Sequence, residues 1–224
     1  AEPPEALAAE LPGIEAMPGD ITDPEAMQAV VQEIVGRHGR IDVALLNAGT
    51  YSPVLPEDFS PDLFRPHVEI NIMGTVNCIA AVLPHMRARR GGRIAVVASV
   101  TGFASLPMAS AYGATKAFLI SMADSLRADL AGEGSGVAVT VVAPGFVRTP
   151  LTEQNDFEMP FVIDVDEAAR AIADGLAAGD AEIAFPRRMS IAMKTIGRWL
   201  PGPLRRGYVA RIARARHRER TRGG

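Results

Sequence analysis

Apolar runs of strand length alternate with segments of helical period along most of the chain. The clearest run is the β-branched segment 137–143, which ends at Pro144-Gly145. Three further short strands are predicted at 41–46, 93–98 and 182–185. Helices are predicted at 24–37, 68–89, 110–130 and 166–178. Strands that alternate with crossover helices indicate an α/β fold, a Rossmann-like doubly wound parallel sheet with helices on both faces.

Charge divides the chain into two parts. The whole sequence has 224 residues, 48% of them hydrophobic and 22% charged, which is ordinary for a globular domain. Residues 187–224 hold 12 Lys or Arg against one acid, hence +11, whereas residues 1–186 hold 11 against 25, hence −14. We therefore expect a Rossmann-like domain at 1–186 and a basic helical extension at 187–224.

The basic extension has an amphipathic pattern. Leu204, Tyr208 and Ile212 recur every four residues among several arginines, and Trp199 precedes them. Such a helix can lie on an anionic membrane surface, so peripheral membrane contact is one interpretation. A solvated or subunit-packing terminal helix is the other.

Several classes of site and partner have little support in the sequence. The single cysteine, Cys78, suits a reducing compartment, so a cytoplasmic location is expected. The four histidines lack metal-ligand spacing, and we expect no metal site. Beyond the Arg-rich end there is no nucleic-acid motif, and no apolar run is long enough to span a bilayer.

Polar or turn-forming residues stand at the carboxyl ends of three predicted strands. They are Asn47, Ser99 and the pair Pro144-Gly145. In open parallel sheets ligands bind beyond this edge. The sequence therefore predicts that these residues converge on one ligand site.

A phenol and an ammonium lie one helical turn apart on the helix predicted at 110–130. Tyr112 and Lys116 are four residues apart and so share a face. A tyrosine pKa near 10 is too high for efficient proton transfer at neutral pH, and a neighbouring cation lowers it. We expect Lys116 to lower the pKa of Tyr112 and make it a general acid/base.

An ordered set of motifs resembles the short-chain dehydrogenase/reductase family as far as about Phe185. The matching segments are Asp20-Ile-Thr-Asp23, Asn47-Ala-Gly49, Asn71 within Glu-Ile-Asn-Ile-Met-Gly, Ser99, Tyr112-x-x-x-Lys116 and Pro144-Gly145-x-x-x-Thr149. The resemblance implies an NAD(P)-dependent oxidoreductase that transfers hydride between a nicotinamide cofactor, NAD or NADP, and a small carbonyl/alcohol substrate.

The resemblance implies a catalytic role for four residues. Tyr112 would exchange a proton with the substrate oxygen, Ser99 would hold that oxygen, and Lys116 would assist Tyr112 and bind the nicotinamide ribose. Asn71 would anchor a water that joins Lys116 to solvent. For each residue a structural role, such as a helix-surface tyrosine or a strand-end serine, is the competing interpretation.

The resemblance also implies a set of cofactor contacts. Besides Tyr112 and Lys116 they are Asp20, Ile21, Asn47, Ala48, Gly49, Pro144, Gly145, Val147 and Thr149. The segment 146–165 would form a substrate lid whose apolar residues include Leu151, Phe157 and Met159. Family members are commonly homodimers or homotetramers that pack two long helices, here those through Cys78 and Ala123.

The glycine-rich turn that opens family members does not occur in this sequence. Residues 4–12 resemble the segment after the family's second strand, so an N-terminal truncation before Ala1 is expected. The absent turn would otherwise hold the cofactor pyrophosphate. A non-catalytic remnant that acts as an interaction scaffold is therefore the alternative to an enzyme.

Overall fold

The computed structural model contains a four-stranded parallel sheet. It describes Ala8 and residues 13–153 and 159–222, with side chains as far as Ala215. The strands are β1 (Val43–Leu46), β2 (Gly92–Val97), β3 (Val137–Pro144) and β4 (Glu182–Phe185), hydrogen-bonded in that order. Leu46 is level with Val96, Val97 with Val142, and Pro144 with Phe185. The register therefore brings the carboxyl ends of all four strands to one edge.

Eight helices connect or follow these strands in the described residues. They are α1 (Pro24–His38), α2 (Pro61–His67), α3 (Thr75–Arg89), α4 (Ser110–Gly132), α5 (Pro150–Glu153), α6 (Val165–Ala178), α7 (Arg187–Lys194) and α8 (Gly202–Arg222). Short 3₁₀ turns lie at Pro56–Asp58 and Val100–Gly102, and π-helical turns lie at Val68–Gly74 and Thr195–Trp199.

Alternating side chains of the strands form a core on each face of the sheet. Ile94 and Val96 of β2 pack with α1, α3 and α4, where Leu119 is buried. Ala95 and Val97 point the other way and pack with Ala168 of α6. Burial on both faces explains why the strands are continuously apolar rather than alternating. The predicted doubly wound α/β architecture is confirmed.

The start of α1 follows its sequence signals. Asp23 accepts hydrogen bonds from the backbone amides of Glu25 and Ala26 at 2.9 and 3.1 Å. Pro24 occupies the first turn, where its missing N–H is not needed. Gly39 ends the helix with φ 75°.

The helix expected from Val68 begins earlier than predicted. It runs from Pro61 through α2, the π-helical turn Val68–Gly74 and α3. Pro66 does not interrupt the helix but lies inside α2, where it removes one intrahelical donor. The wider turn follows directly, and it carries Asn71.

The segment 146–165, expected to be a loop, contains the short helix α5. Val147 and Ile163 form an isolated parallel bridge that holds the two ends of this segment together. Residues 154–158, including Phe157, lie outside the described residues, as do residues 4–7 and 9–12 of the N-terminal segment.

β1 is an edge strand of the described sheet, since it pairs only with β2. Val43 and Leu45 on it are 47% and 43% exposed. An apolar strand edge of this kind is a common place for further pairing.

The first part of the basic extension packs onto the domain. Met189 and Met193 of α7 are buried against Val100 and Ala104. Farther on, a Cβ at Gly197 would lie 1.8 Å from the backbone oxygen of Phe103, so this glycine permits a close backbone approach. The boundary at residue 187 stays a prediction. None of the helices in the described residues is long and apolar enough to cross a bilayer.

Candidate active site

Ser99 and Tyr112 meet beyond the carboxyl end of β2. Ser99 begins the 3₁₀ turn after this strand, and its hydroxyl oxygen accepts from the Thr101 amide at 3.2 Å and donates to the Pro144 carbonyl at 3.3 Å. Tyr112 lies in the first turn of α4, and its side chain lines the same small cavity as Ser99, whose hydroxyl group interacts with the phenol. The ends of two strands and one helix therefore bring two hydroxyl groups together.

The expected lowering of the Tyr112 pKa is wrong for this structure. Burial raises the pKa of Tyr112 to about 12, and the interaction with the Ser99 hydroxyl group opposes this rise only in part. Desolvation disfavours the phenolate more than one hydroxyl can favour it. Tyr112 is consequently a neutral phenol at physiological pH, able to donate a proton.

Lys116 faces the Tyr112 ring, but its ammonium group donates its hydrogen bond to the end of β2. Its Nζ lies 5.5 Å from the centroid of the Tyr112 ring and donates to the Val97 carbonyl at 2.8 Å. The side chain is only 4% exposed, and burial lowers the pKa of Lys116 to about 8. The predicted shared helix face is confirmed, while the ammonium lies over the ring and is bonded to the end of β2.

Asn71 is fully buried and holds the loop after β1. Its Oδ1 accepts from the Thr50 amide at 2.7 Å, and its Nδ2 donates to the Thr50 carbonyl and to Thr115 Oγ1, both at 3.0 Å. Thr115 in turn donates to the Tyr112 carbonyl at 2.8 Å. This network connects the π-helical turn, the β1 loop and α4.

Three residues near this network were not singled out from the sequence. Thr115 lies inside the Tyr112–Lys116 motif, and this position was the only feature of the sequence that could have pointed to it. Tyr51 packs edge-on against Tyr112, with ring centroids 5.2 Å apart. His67 is buried, and its Nε2 must accept because its partner, at 3.0 Å, is the Ser52 amide; Nδ1 then donates to the Leu63 carbonyl.

The glycine of the predicted Asn47-Ala-Gly49 turn lies against the catalytic candidates. A Cβ at Gly49 would be 3.3 Å from Asn71 Oδ1 and 3.5 Å from Lys116 Nζ. Gly49 thus leaves open the space beside a buried ammonium. Asn47 and Ala48 follow β1 and are exposed at the same sheet edge.

The residues after β3 form a second side of this edge. Pro144 accepts the Ser99 hydrogen bond, and a Cβ at Gly145 would be 2.7 Å from the sulfur of Met189. Val147 pairs with Ile163, and the Thr149 amide donates to Thr152 Oγ1 at 3.0 Å. Pro144 is therefore brought to Ser99, whereas Val147 and Thr149 belong to the lid segment.

Asp20 and Ile21 lie beside the π-helical turn rather than at the catalytic candidates. Asp20 is exposed and accepts from the amide and hydroxyl of Thr22, and the amide bond is the main cause of its lowered pKa. Ile21 packs on Gly74, and its carbonyl accepts from Asn77 at 2.9 Å. No described contact joins them directly to Tyr112 or Lys116.

Two cavities adjoin the site. A small one of about 80 Å³ is lined by Ser99, Tyr112 and Tyr51, and by Leu151 and Thr152 of the segment 146–165. A larger open cleft of about 1420 Å³ lies between the 3₁₀ turn, α4 and α8. No group of three or more His, Cys, Asp or Glu side chains within the described ranges could hold a metal ion.

The sequence matches a protein family and several oxidoreductases. Residues 1–159 match the family described as short chain dehydrogenase. An uncharacterized oxidoreductase of Myxococcus xanthus is 34% identical over 185 residues, which cover 83% of this chain and 72% of that protein. Oxidoreductase UcpA of Escherichia coli K12 is 37% identical over 175 residues, covering 74% of this chain and 65% of UcpA. The chain thus spans about two thirds to three quarters of these relatives.

Solved structures show the same fold. A short-chain dehydrogenase from Streptomyces avermitilis superimposes with a TM-score of 0.70 at 27% identity, covering 85% of this chain and 77% of that one. A gluconate 5-dehydrogenase from Burkholderia cenocepacia, solved with NADP and tartrate, gives 0.66 at 26% identity, covering 74% and 70%.

Proposed function

This chain belongs to the short-chain dehydrogenase family, and we propose that it is an NAD(P)-dependent oxidoreductase that acts on a carbonyl/alcohol pair. The observation that carries the proposal is that Tyr112 and Ser99 line one small cavity, with the Lys116 ammonium over the phenol ring, 5.5 Å from its centroid. The proposal covers the catalytic set Asn71, Ser99, Tyr112 and Lys116.

Tyr112 donates the proton in the reducing direction. NAD(P)H, when bound, would supply the hydride that the carbonyl carbon takes up. Tyr112 gives its phenolic proton to the carbonyl oxygen, so the product is an alcohol and Tyr112 is left as the phenolate. Ser99 holds that oxygen beside Tyr112. Because burial raises the pKa of Tyr112 to about 12, the phenol is protonated at neutral pH and can donate, but it is a weak acid, so proton transfer depends on nearby positive charge that stabilises the phenolate.

Lys116 and Asn71 support the proton donor. The ammonium lies on the ring face, where it stabilises negative charge that develops on the phenol oxygen. Both Nδ2 hydrogens of Asn71 are used by Thr50 and Thr115, but Oδ1 accepts only one described bond. A water that donates to the remaining lone pair of Oδ1 would connect Lys116 to solvent.

The cofactor would lie along the carboxyl edge of the sheet. Gly49 leaves space next to Lys116, as a nicotinamide ribose there requires, and this fit supports NAD or NADP as the cofactor. Asn47 and Ala48 would follow the adenosine, Asp20 and Ile21 the adenine, and Pro144, Gly145, Val147 and Thr149 the nicotinamide. The NADP found in the Burkholderia gluconate 5-dehydrogenase is in keeping with this assignment.

Replacing Tyr112 with Phe tests the proposal. The purified protein is assayed for NADH- and NADPH-dependent reduction of small ketones. We expect a loss of turnover of about 10²-fold or more in the Tyr112→Phe variant, because the proton donor is gone. Tyr208→Phe, at an exposed tyrosine of α8, is the matched control. Undiminished turnover in Tyr112→Phe would contradict the assignment.

We also propose a homodimer or homotetramer in a reducing compartment such as the cytoplasm. Phe118 on α4 and Met73 at the end of the π-helical turn are exposed on the two long helices, and a subunit contact would cover them. Cys78, the only cysteine of the sequence, has no second thiol to pair with. Analytical ultracentrifugation measures the assembly, and a monomer would contradict it.

Peripheral contact with anionic membranes is a further part of the proposal. Trp199, which ends the π-helical turn before α8, is 78% exposed, and Leu204 near the start of α8 is 61% exposed; Tyr208 lies beyond them. Arg198, Arg205 and Arg211 are exposed around them. Exposed apolar side chains among cations suit the interface of an anionic bilayer.

A further inference from the structure

The large cleft adjoins the catalytic cavity. Thr101, Leu106, Pro107 and Ala109 line both. Thr101 lies in the 3₁₀ turn that follows Ser99 and the other three come after that turn, so the boundary between the two cavities, called the neck below, lies just beyond the catalytic hydroxyl groups. A substrate that extends past this neck from Ser99 and Tyr112 would enter the cleft.

Most of the cleft wall is apolar. Val54, Phe59 and Phe103 line it on the side of the domain, and Val209, Ala210 and Ala213 line it on α8. Clefts of about 300–1,000 Å³ accommodate drug-sized ligands. The volume of about 1420 Å³ leaves room for a chain longer than the small substrate that the catalytic cavity alone could hold.

Three arginines of α8 border this apolar wall. Arg205 and Arg206 lie at one end of the lining face and Arg214 at the other, about 12 Å apart along the helix axis. None of the three forms an ion pair with an acidic side chain in the described part of the chain, although Arg205 donates to the Gly197 carbonyl at 3.0 Å.

The charge of the cleft is positive. Glu57 is the one acidic side chain in the lining, so the three arginines leave a surplus of two positive charges. An apolar wall with cations at its edge is complementary to an anionic amphiphile. A neutral apolar ligand would leave this charge unmatched.

We propose that the substrate of this enzyme is an anionic amphiphile, with its apolar chain in the cleft and its carbonyl or hydroxyl group at Ser99 and Tyr112. The carboxylate or phosphate end binds the arginines of α8. This assignment of a substrate class rests on the proposed oxidoreductase function and adds a binding site to it.

Calorimetric titration of the purified protein tests the site directly. The probes are dodecanoate and dodecyl phosphate, each below its critical micelle concentration, with dodecan-1-ol as the uncharged probe. The variant Arg205→Gln/Arg206→Gln/Arg214→Gln removes the cations of the cleft. The control Arg188→Gln/Arg198→Gln/Arg211→Gln removes the same charge from exposed positions outside the lining.

We expect the cleft variant to bind at least one of the two anions about tenfold more weakly than wild type, a difference of about 1.4 kcal/mol. The control variant should bind it like wild type, and dodecan-1-ol should bind wild type and both variants alike. The anion that responds identifies the head group. No binding of either anion, or an equal loss in both triple variants, would overturn the proposal.

Competition connects the cleft to the catalytic cavity. Dodecanoate or dodecyl phosphate, whichever binds, should inhibit the reduction of a small ketone competitively with the ketone, because its alkyl chain passes the neck and occupies the catalytic cavity in which the ketone binds. Inhibition that leaves the KM for the ketone unchanged would overturn the shared path. The ketone assay of Tyr112→Phe judges the catalytic assignment separately, so its failure is distinguishable from a failure of the titration.

Discussion

Replacing Lys116 with Met should change how the stability of the protein depends on pH. Burial lowers the pKa of Lys116 to about 8 in the folded protein from an ordinary value of 10.5. Between these two values the unfolded chain binds more protons than the folded protein, so the free energy of unfolding rises with pH. The difference corresponds in full to roughly 3 kcal/mol, because each tenfold step in proton affinity is worth about 1.4 kcal/mol.

The pH range suited to this measurement is pH 7 to 9.5. Across it the contribution of Lys116 to the free energy of unfolding should change by about 2 kcal/mol. The contribution of Tyr112 has the opposite sign and a higher range: its pKa is raised to about 12, so the stability it adds is present below pH 10 and lost as the pH rises toward 12. Stopping at pH 9.5 therefore avoids the titration of Tyr112, and the comparison with a Lys116 variant cancels the contribution of Cys78, whose pKa burial also raises.

The measurement is urea unfolding of wild type and Lys116→Met at several pH values, without added dinucleotide. The stability of wild type relative to the variant should increase by about 2 kcal/mol from pH 7 to 9.5. Lys194→Met is the matched control, because Lys194 is the only other lysine and pairs with Glu182 near the surface. A difference between wild type and Lys116→Met that does not change with pH would refute the burial argument.

Two further predictions concern the C-terminal part. Gly197→Ala should lower the free energy of unfolding by about 2 kcal/mol, since its Cβ would collide with the Phe103 backbone. Gly207→Ala, at a helix position with open space around it, should raise the free energy of unfolding by about 0.5–1 kcal/mol. Equal effects of the two substitutions in thermal unfolding would contradict this prediction. The emission of Trp199, the only tryptophan, should shift to the blue with anionic vesicles at low salt and not with neutral ones. No shift with either would end the membrane hypothesis.

The layers of the fold were predictable because the strands are apolar runs that the sequence shows directly. The β-branched run at 137–143 and the apolar runs at 41–46 and 93–98 each became a strand of the parallel sheet. The helix start predicted at residue 24 agrees with α1, which Asp23 caps. The beginning of the long helix was not predictable from Pro66, because tertiary contacts of α2 and the π-helical turn outweigh one lost hydrogen bond.

Placement of the catalytic candidates was predictable, but their electrostatics were not. Helical spacing correctly put Lys116 on the same face as Tyr112. The direction of the Tyr112 pKa depends on how much water each group loses, and sequence spacing carries no information on this. The Val97 carbonyl, which takes the Lys116 hydrogen bond, belongs to a strand 19 residues away. The charged face of α8 likewise faces a cleft that periodicity alone did not reveal.

The π-helical turn at Val68–Gly74 sets how far α3 is rotated about the helix axis relative to α2. A π turn contains about one residue more than an α-helical turn, and one residue corresponds to a rotation of about 100° about the axis. Deleting a single residue here would leave α3 packed on the sheet but would turn Asn71 away from Thr50 and Thr115. The extra residue in this turn therefore points the Asn71 amide into the protein interior, while the rest of the helix keeps its apolar side against the strands.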